Sequence, residues 1–155
     1  MPHEPFFLAA AEEAKKALCL RDKCGTVVVR AGEIIGRGYN APAGDDASHR
    51  KCEIDMLKFS TAKPKSDRTC CVHAEWRAII DAVRNRGDIS GSTLYFTRVD
   101  PATNEILKSG EPYCTVCSRL ALDTGVAHFA LWHEAGIMLY DAADYNERSY
   151  GFHTA

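Results

Sequence analysis

The sequence predicts an α/β fold: one domain over residues 1–155, built on a mixed sheet of about five strands with an antiparallel first hairpin. Three observations carry that expectation. Two β-rich runs at 26–30 and 34–39 are joined by Ala31-Gly32-Glu33, a short glycine-containing turn that favours a hairpin. Beyond them strand-like and helix-like stretches alternate, which requires crossover connections and a partly parallel sheet. No internal repeat, low-complexity segment or linker divides the chain.

Taken in order, residues 6–20 are rich in Ala, Leu, Glu and Lys, with apolar positions near helical spacing, and predict a first helix covering one sheet face. After the hairpin, Asn40-Ala41-Pro42-Ala43-Gly44-Asp45-Asp46 breaks regular structure. Residues 49–68 read as an irregular excursion with a short helix at 53–59. Ala74, Ile79, Ile80 and Val83 mark a helix over 72–84, stopped by Asn85-Arg86-Gly87. Thr93-Leu94-Tyr95-Phe96-Thr97 reads as a central strand, 99–110 as an inserted hairpin or loop, 115–123 as a short helix closed by Gly125, and 127–132 as the next strand. The tail from Tyr140 to Phe152 mixes aromatic and polar residues, which suits a segment packed over a pocket or at a subunit interface.

Hydrophobic residues make up 46% and charged residues 26% of the chain, ordinary for a globular domain, and no apolar run approaches the roughly 18 residues of a membrane span. No membrane partner is expected. Met1-Pro2-His3-Glu4-Pro5 lacks the basic region of a secretion signal, so cytoplasmic residence is the expectation. A formal net charge of −2 and the lack of a Lys/Arg cluster argue against nucleic acid as partner. Seven cysteines, an odd number without a secretion signal, read as metal ligands and buried thiols.

Two fragments concentrate the chemistry. His73-Ala74-Glu75 and Pro112-Tyr113-Cys114-Thr115-Val116-Cys117 offer three soft ligands, His73, Cys114 and Cys117, and one carboxylate, Glu75, that is free to move protons. Catalytic zinc keeps three protein ligands and leaves its fourth position for water. Both fragments fall at helix starts, where orphan N–H groups and the helix dipole stabilise thiolates. Residues three apart on a helical turn are neighbours, so Cys114 and Cys117 can share one metal. A lone Cys-x-x-Cys is more often a structural half-site or a redox pair, and a lone His-x-Glu means little; the joint pattern is what is specific.

That joint pattern, H-x-E…P-C-x-x-C, is the signature of the zinc nucleobase deaminases. The sequence resembles the cytidine and deoxycytidylate deaminase superfamily, and within it the deoxycytidylate (dCMP) deaminases most. The hairpin that ends Gly38-Tyr39-Asn40-Ala41 is similar to the family's, which ends Gly-Tyr-Asn-Gly, and Thr69-Cys70-Cys71-Val72 leads into the His-Ala-Glu motif as in those enzymes. The likeness runs from about Lys15 to Leu131. It implies a three-layer α/β/α cytidine deaminase-like fold, a catalytic Zn²⁺, hydrolysis of dCMP to dUMP with release of ammonia, a small-molecule nucleotide or nucleoside substrate, and a homo-oligomer. It also implies that Asn40 contacts sugar or base and that the backbone at Ala74 meets the pyrimidine edge. The alternatives are a deaminase of a free base, purine or modified nucleoside, a polynucleotide-editing deaminase, or a non-catalytic zinc-stapled binding domain.

Departures from the family pattern cluster around the motif. Trp76-Arg77 stands where the family commonly has Asn soon after the Glu, Ala41 replaces Gly, and Tyr113 lengthens the Pro-Cys step. Tyr113 either stacks on a base or faces solvent. Arg77 and Arg98 are candidates for a substrate phosphate, against the commoner reading of exposed arginines. Cys19, His49, Cys52 and Cys70 fall where some bacterial and phage dCMP deaminases hold a second, structural zinc; otherwise they are buried thiols and a surface histidine. Cys24 and Cys71 read as core.

Overall fold

The computed structural model of the chain describes residues 2–51 and 69–152. Alanine and leucine after Pro5 form α1 (Glu4–Ala14), shorter than the helix expected over 6–20. It stops because the chain beyond it is claimed by tertiary pairing: Ala17 N–H closes the last turn on Ala14 O, and Leu18 N–H donates to Asn40 O at 3.3 Å.

Alternation builds the first hairpin. β1 (Lys23–Arg30) pairs antiparallel with β2 (Glu33–Tyr39). Ala31 and Gly32 both take positive φ, 52° and 77°, the handedness that matches the right-handed twist of the flanking strands. β3 (Ala41–Pro42) then pairs with β4 (Cys71–Val72) across the segment 43–70. The predicted short helix at 53–59 lies outside the described residues.

α2 (Ala74–Arg86) ends at Gly87 with φ 72°, and β5 (Thr93–Val99) follows as the predicted central strand. The insertion at 99–110 is a hairpin: β6 (Ile106–Leu107) folds back onto β5, over a turn in which Asp100 accepts the N–H groups of Ala102 and Thr103. α3 (Thr115–Thr124) closes at left-handed Gly125 and leads to β7 (His128–His133). The tail forms β8 (Gly136–Asp141) and α4 (Ala142–Tyr150).

The sheet runs β2-β1-β5-β7-β8, with β6 as a sixth strand on β5. β5 and β7 are parallel, joined through α3; the other pairs are antiparallel. Side chains alternate across it. Val27, Val29, Tyr95 and Ala130 pack with Phe7 and Ala10 of α1, while Val28, Leu94, Phe129 and Leu131 face Ala78, Ile79, Ala121 and Tyr145 of α2, α3 and α4. This is a three-layer α/β/α arrangement, the one the resemblance implies. Two close approaches seat the helices. A Cβ at Gly25 would overlap backbone of Ala10 and Ala14 in α1, and one at Gly38 would overlap Ala78 N and Ala74 O in α2. No helix among the described residues is long and apolar enough to cross a membrane.

Candidate active site

β4 delivers the chain to α2 so that His73 is the N-cap of that helix, in extended conformation, with its carbonyl accepting Arg77 N–H at 3.1 Å. Its ring stacks on Trp76, centroids 4.7 Å apart, and burial holds its pKa below the ordinary imidazole value, favouring the neutral ligand form. Glu75 lies in the first turn. It is buried, and burial pushes its carboxyl from 4.5 up to about 7, only partly opposed by its own backbone N–H.

From the other side comes Cys114, the N-cap of α3, whose sulfur accepts Cys117 N–H at 3.4 Å. The predicted Cys-x-x-Cys turn therefore does place both sulfurs on one side. His73 Nδ1 lies 3.3 Å from Cys114 Sγ and 3.2 Å from Cys117 Sγ, and a Glu75 carboxylate oxygen falls within 4.8 Å of all three. Among the described residues this is the one such cluster of metal-ligating groups. The two sulfurs touch each other as a disulfide pair in this structure. With both reduced, one imidazole nitrogen and two thiolates converging on one point are a zinc donor set, with a carboxylate beside it.

The cluster sits in a cleft of about 610 Å³, the size range of small-molecule sites. Of the sequence's candidates for substrate contact, Asn40, Ala74, Arg98 and Tyr113 line it and Arg77 does not. Arg77 leaves α2 toward Tyr39 and Asp45, its guanidinium 5.0 Å from the Tyr39 ring centroid and 3.8 Å from Asp45 Oδ2. Asn40 is more committed than a turn residue would be: its Oδ1 accepts Cys24 N–H at 2.8 Å and its Nδ2 donates to Asp22 O at 2.7 Å, tying β1 to the end of β2. Arg98 stands on β5, 3.5 Å from Asp22 Oδ1. Tyr113 is 66% exposed and meets Phe152 edge-on at 4.9 Å.

The second cysteine group differs from expectation. Cys19 pairs with Cys71, not with Cys70, in a disulfide that staples the segment after α1 to β4. Cys71, read from sequence as core, thus meets Cys19, because the β3–β4 ladder brings it to the α1–β1 connection. Cys70 Sγ lies 3.9 Å from Cys71 Sγ. His49 is exposed, with Nδ1 3.0 Å from Ala43 O and Nε2 4.0 Å from Asp46, and it joins no metal-ligating cluster among the described residues. Cys52 lies outside the described residues. Cys24, also read as core, is only half-buried and lines the cleft; burial, then the charge of Glu75, raises its thiol pKa well above the ordinary range.

Several site residues had no local signal. Arg21, Asp22 and Lys51 reach the cleft from loops, and Tyr145 and Phe152 from the tail, whose aromatic content was the one hint. Burial raises the Tyr145 phenol to about 12, so it stays protonated at neutral pH.

An α/β sheet that hands a buried carboxylate and a nitrogen–sulfur–sulfur donor set to one cleft has the equipment of a zinc-dependent hydrolytic deaminase. Similarity to known proteins identifies the family. Residues 1–132 match the model of the cytidine and deoxycytidylate deaminase zinc-binding region, and the chain belongs to that family. It is 35% identical over 131 residues to the deoxycytidylate deaminase of Mycobacterium phage D29, across 79% of this chain and 88% of that protein. The dCMP deaminase of cyanophage S-TIM5 shares its fold with a TM-score of 0.53 at 24% identity, over 81% of this chain and 78% of the other. Cytidine deaminase from Burkholderia pseudomallei gives 0.57 at 16% identity, over 94% and 96%.

Proposed function

We propose that this enzyme converts dCMP to dUMP with release of ammonia, using Glu75 as proton carrier and His73, Cys114 and Cys117 as zinc ligands. The observation that carries this reading is the convergence of those four side chains at a nucleotide-sized cleft that also bears Arg98, Arg21 and Lys51. The relative from Mycobacterium phage D29 is a deoxycytidylate deaminase, and the cyanophage enzyme has been seen in complex with dCMP and dUMP.

Zinc, when bound, supplies an acidified water for attack on the amine-bearing ring carbon. Glu75 is placed to take one proton from the attacking water and pass it to the ring nitrogen, and then to pass the second, from the new hydroxyl, to the amine, which leaves as ammonia as the C–N bond breaks and the carbonyl forms. In the metal-free site burial pushes this carboxyl up to about 7, and a group whose pKa lies near the working pH both accepts and donates. The neutral His73 ring, fixed by Trp76, leaves a nitrogen lone pair for the metal. The Ala74 backbone meets the pyrimidine edge, Asn40 the sugar side, and Tyr113 the open face of the base. Arg98 and Arg21 take the 5′-phosphate, for which their charge and position at the cleft suit them; Arg77, spent on Asp45 and Tyr39, is not assigned there.

Cytoplasmic residence belongs to the same proposal, since this donor set works only with Cys114 and Cys117 reduced. A homo-oligomer does too: Ile137, Met138 and Leu139 are exposed on β8, the edge strand of the sheet. A second, structural zinc is supported by the gathering of Cys19, Cys70 and Cys71 rather than by His49. Metal analysis of the reduced protein decides it, two zinc per chain for the metal and one for a disulfide staple.

The activity test is ammonia release from dCMP against a panel of deoxycytidine, cytosine, adenine and guanine. Activity with dCMP that is lost on chelation, restored by zinc, and absent in Glu75→Ala is expected. Full activity in that variant, or a preference for a purine, overturns the reading.

A further inference from the structure

The family match ends at residue 132, yet the residues that hold the Cys114 segment in place come after it. α4 meets the start of α3 through three side-chain links. Tyr145 is buried, stacked on Phe129 with centroids 4.1 Å apart, and its hydroxyl oxygen accepts the backbone N–H of Tyr113 at 3.5 Å. Ser149 Oγ is 2.9 Å from Thr115 Oγ1, and Ser118 Oγ donates to Asn146 Oδ1 at 2.7 Å. Positions 145, 146 and 149 lie on one face of α4, and all their partners fall within four residues of Cys114.

We propose that Tyr145 is a positioning residue for the metal-ligand segment, holding the Tyr113-Cys114 backbone so that Cys114 enters α3 with its sulfur aimed at His73. The residue before Cys114 is the inserted Tyr113, so the Pro112-to-Cys114 step is one residue longer than in the H-x-E…P-C-x-x-C pattern. An extra residue in a loop adds backbone freedom and one more amide to satisfy. The Tyr145 hydroxyl answers both needs by accepting the amide of Tyr113, the inserted residue itself. Its ring is held between Phe129, stacked at 4.1 Å, and the edge-on ring of Tyr140 at 6.2 Å. Groups that orient a metal's ligands from outside typically cost 10–100-fold in metal affinity when removed.

The proposal rests on zinc being held by His73, Cys114 and Cys117, and the test separates the two. Tyr145→Phe keeps the ring and removes the acceptor; Tyr140→Phe removes a comparable phenol that is bonded to His133 at 2.8 Å, away from the metal segment. Zinc affinity is measured by chelator competition, and the cobalt-substituted proteins are compared by their visible and thiolate charge-transfer bands. Tyr145→Phe is expected to lose zinc about 10–100-fold more readily than wild type, with shifted cobalt bands and a lower kcat at little-changed KM. Tyr140→Phe leaves metal affinity and spectrum as in wild type. Ser149→Ala, the milder lesion, moves the same readouts by a smaller factor and stands in if Tyr145→Phe does not fold. Wild-type affinity and spectrum in Tyr145→Phe, or in Ser149→Ala in its place, overturn the proposal. A wild-type protein that binds no zinc overturns the parent reading instead; one that binds zinc but spares dCMP leaves the metal readouts to judge Tyr145.

Discussion

His73 Nδ1 lies 3.2 Å from Cys117 Sγ across a sequence separation of 44 residues, and neither side chain would reach the other without β5 between their helices. The sheet sets the distance between the two helix starts, and the helix starts set the direction of the ligands.

Replacing Glu75 with Gln keeps the shape of the buried side chain and removes its proton chemistry. The expected loss in kcat on dCMP is about 10²–10⁴-fold, the usual worth of a positioned acid–base group. Zinc content stays at the wild-type level. Steady-state kinetics with parallel metal analysis check both; loss of metal together with activity would mean that Glu75 is a ligand.

Stability of the metal-free protein depends on pH through the same carboxyl. Burial raises Glu75 from 4.5 to about 7, so the folded chain holds this proton more tightly than the unfolded one. The contribution is fully present below pH 4.5 and is lost as pH rises through 7. The shift corresponds to about 3 kcal/mol. Urea denaturation of the metal-free protein at pH 5 and pH 8 should show this fall in wild type and a smaller one in Glu75→Gln; equal falls refute it.

Arg98 faces the cleft from β5, held among the described residues by a 3.5 Å ion pair to Asp22. Arg98→Ala is expected to raise KM for dCMP by about tenfold, roughly 1.4 kcal/mol. Deoxycytidine, lacking the phosphate, should be processed as before. An equal loss on both substrates would remove Arg98 from the phosphate site.

Gly38 lets β2 approach the first turn of α2, where His73 and Glu75 begin. Gly38→Ala forces that helix outward and should cost about 1–3 kcal/mol of stability as well as activity. Gly110, with open space around it, is the control, and Gly110→Ala should stay within about 0.5 kcal/mol of wild type. Thermal unfolding of the two variants provides the comparison.

Much of this enzyme is legible along the chain because its strongest signals are local. The hairpin at Ala31-Gly32, the helix stops at Gly87 and Gly125, and the ligand types at His73, Cys114 and Cys117 each depend on a few neighbouring residues. A helix start needs no knowledge of the rest of the fold to present an N-cap cysteine. Side-chain partners are different. Arg77 sits two residues from Glu75, yet turns to Tyr39 and Asp45, because successive residues on a helix point about 100° apart.

What the sequence by itself determined is the chemistry: an α/β frame, one imidazole, two thiols and one carboxyl placed at two helix starts. Tertiary structure alone decided which groups share the cleft. It ended α1 at Ala14 by drawing Leu18 to Asn40, joined Cys19 to Cys71 through the β3–β4 ladder, and brought Tyr145 and Phe152 back from the tail to the Cys114 segment. The physical reason is range. Periodicity and caps act over one or two turns, whereas contacts across about 20 to 50 residues exist only after the sheet has closed and its two faces have been covered.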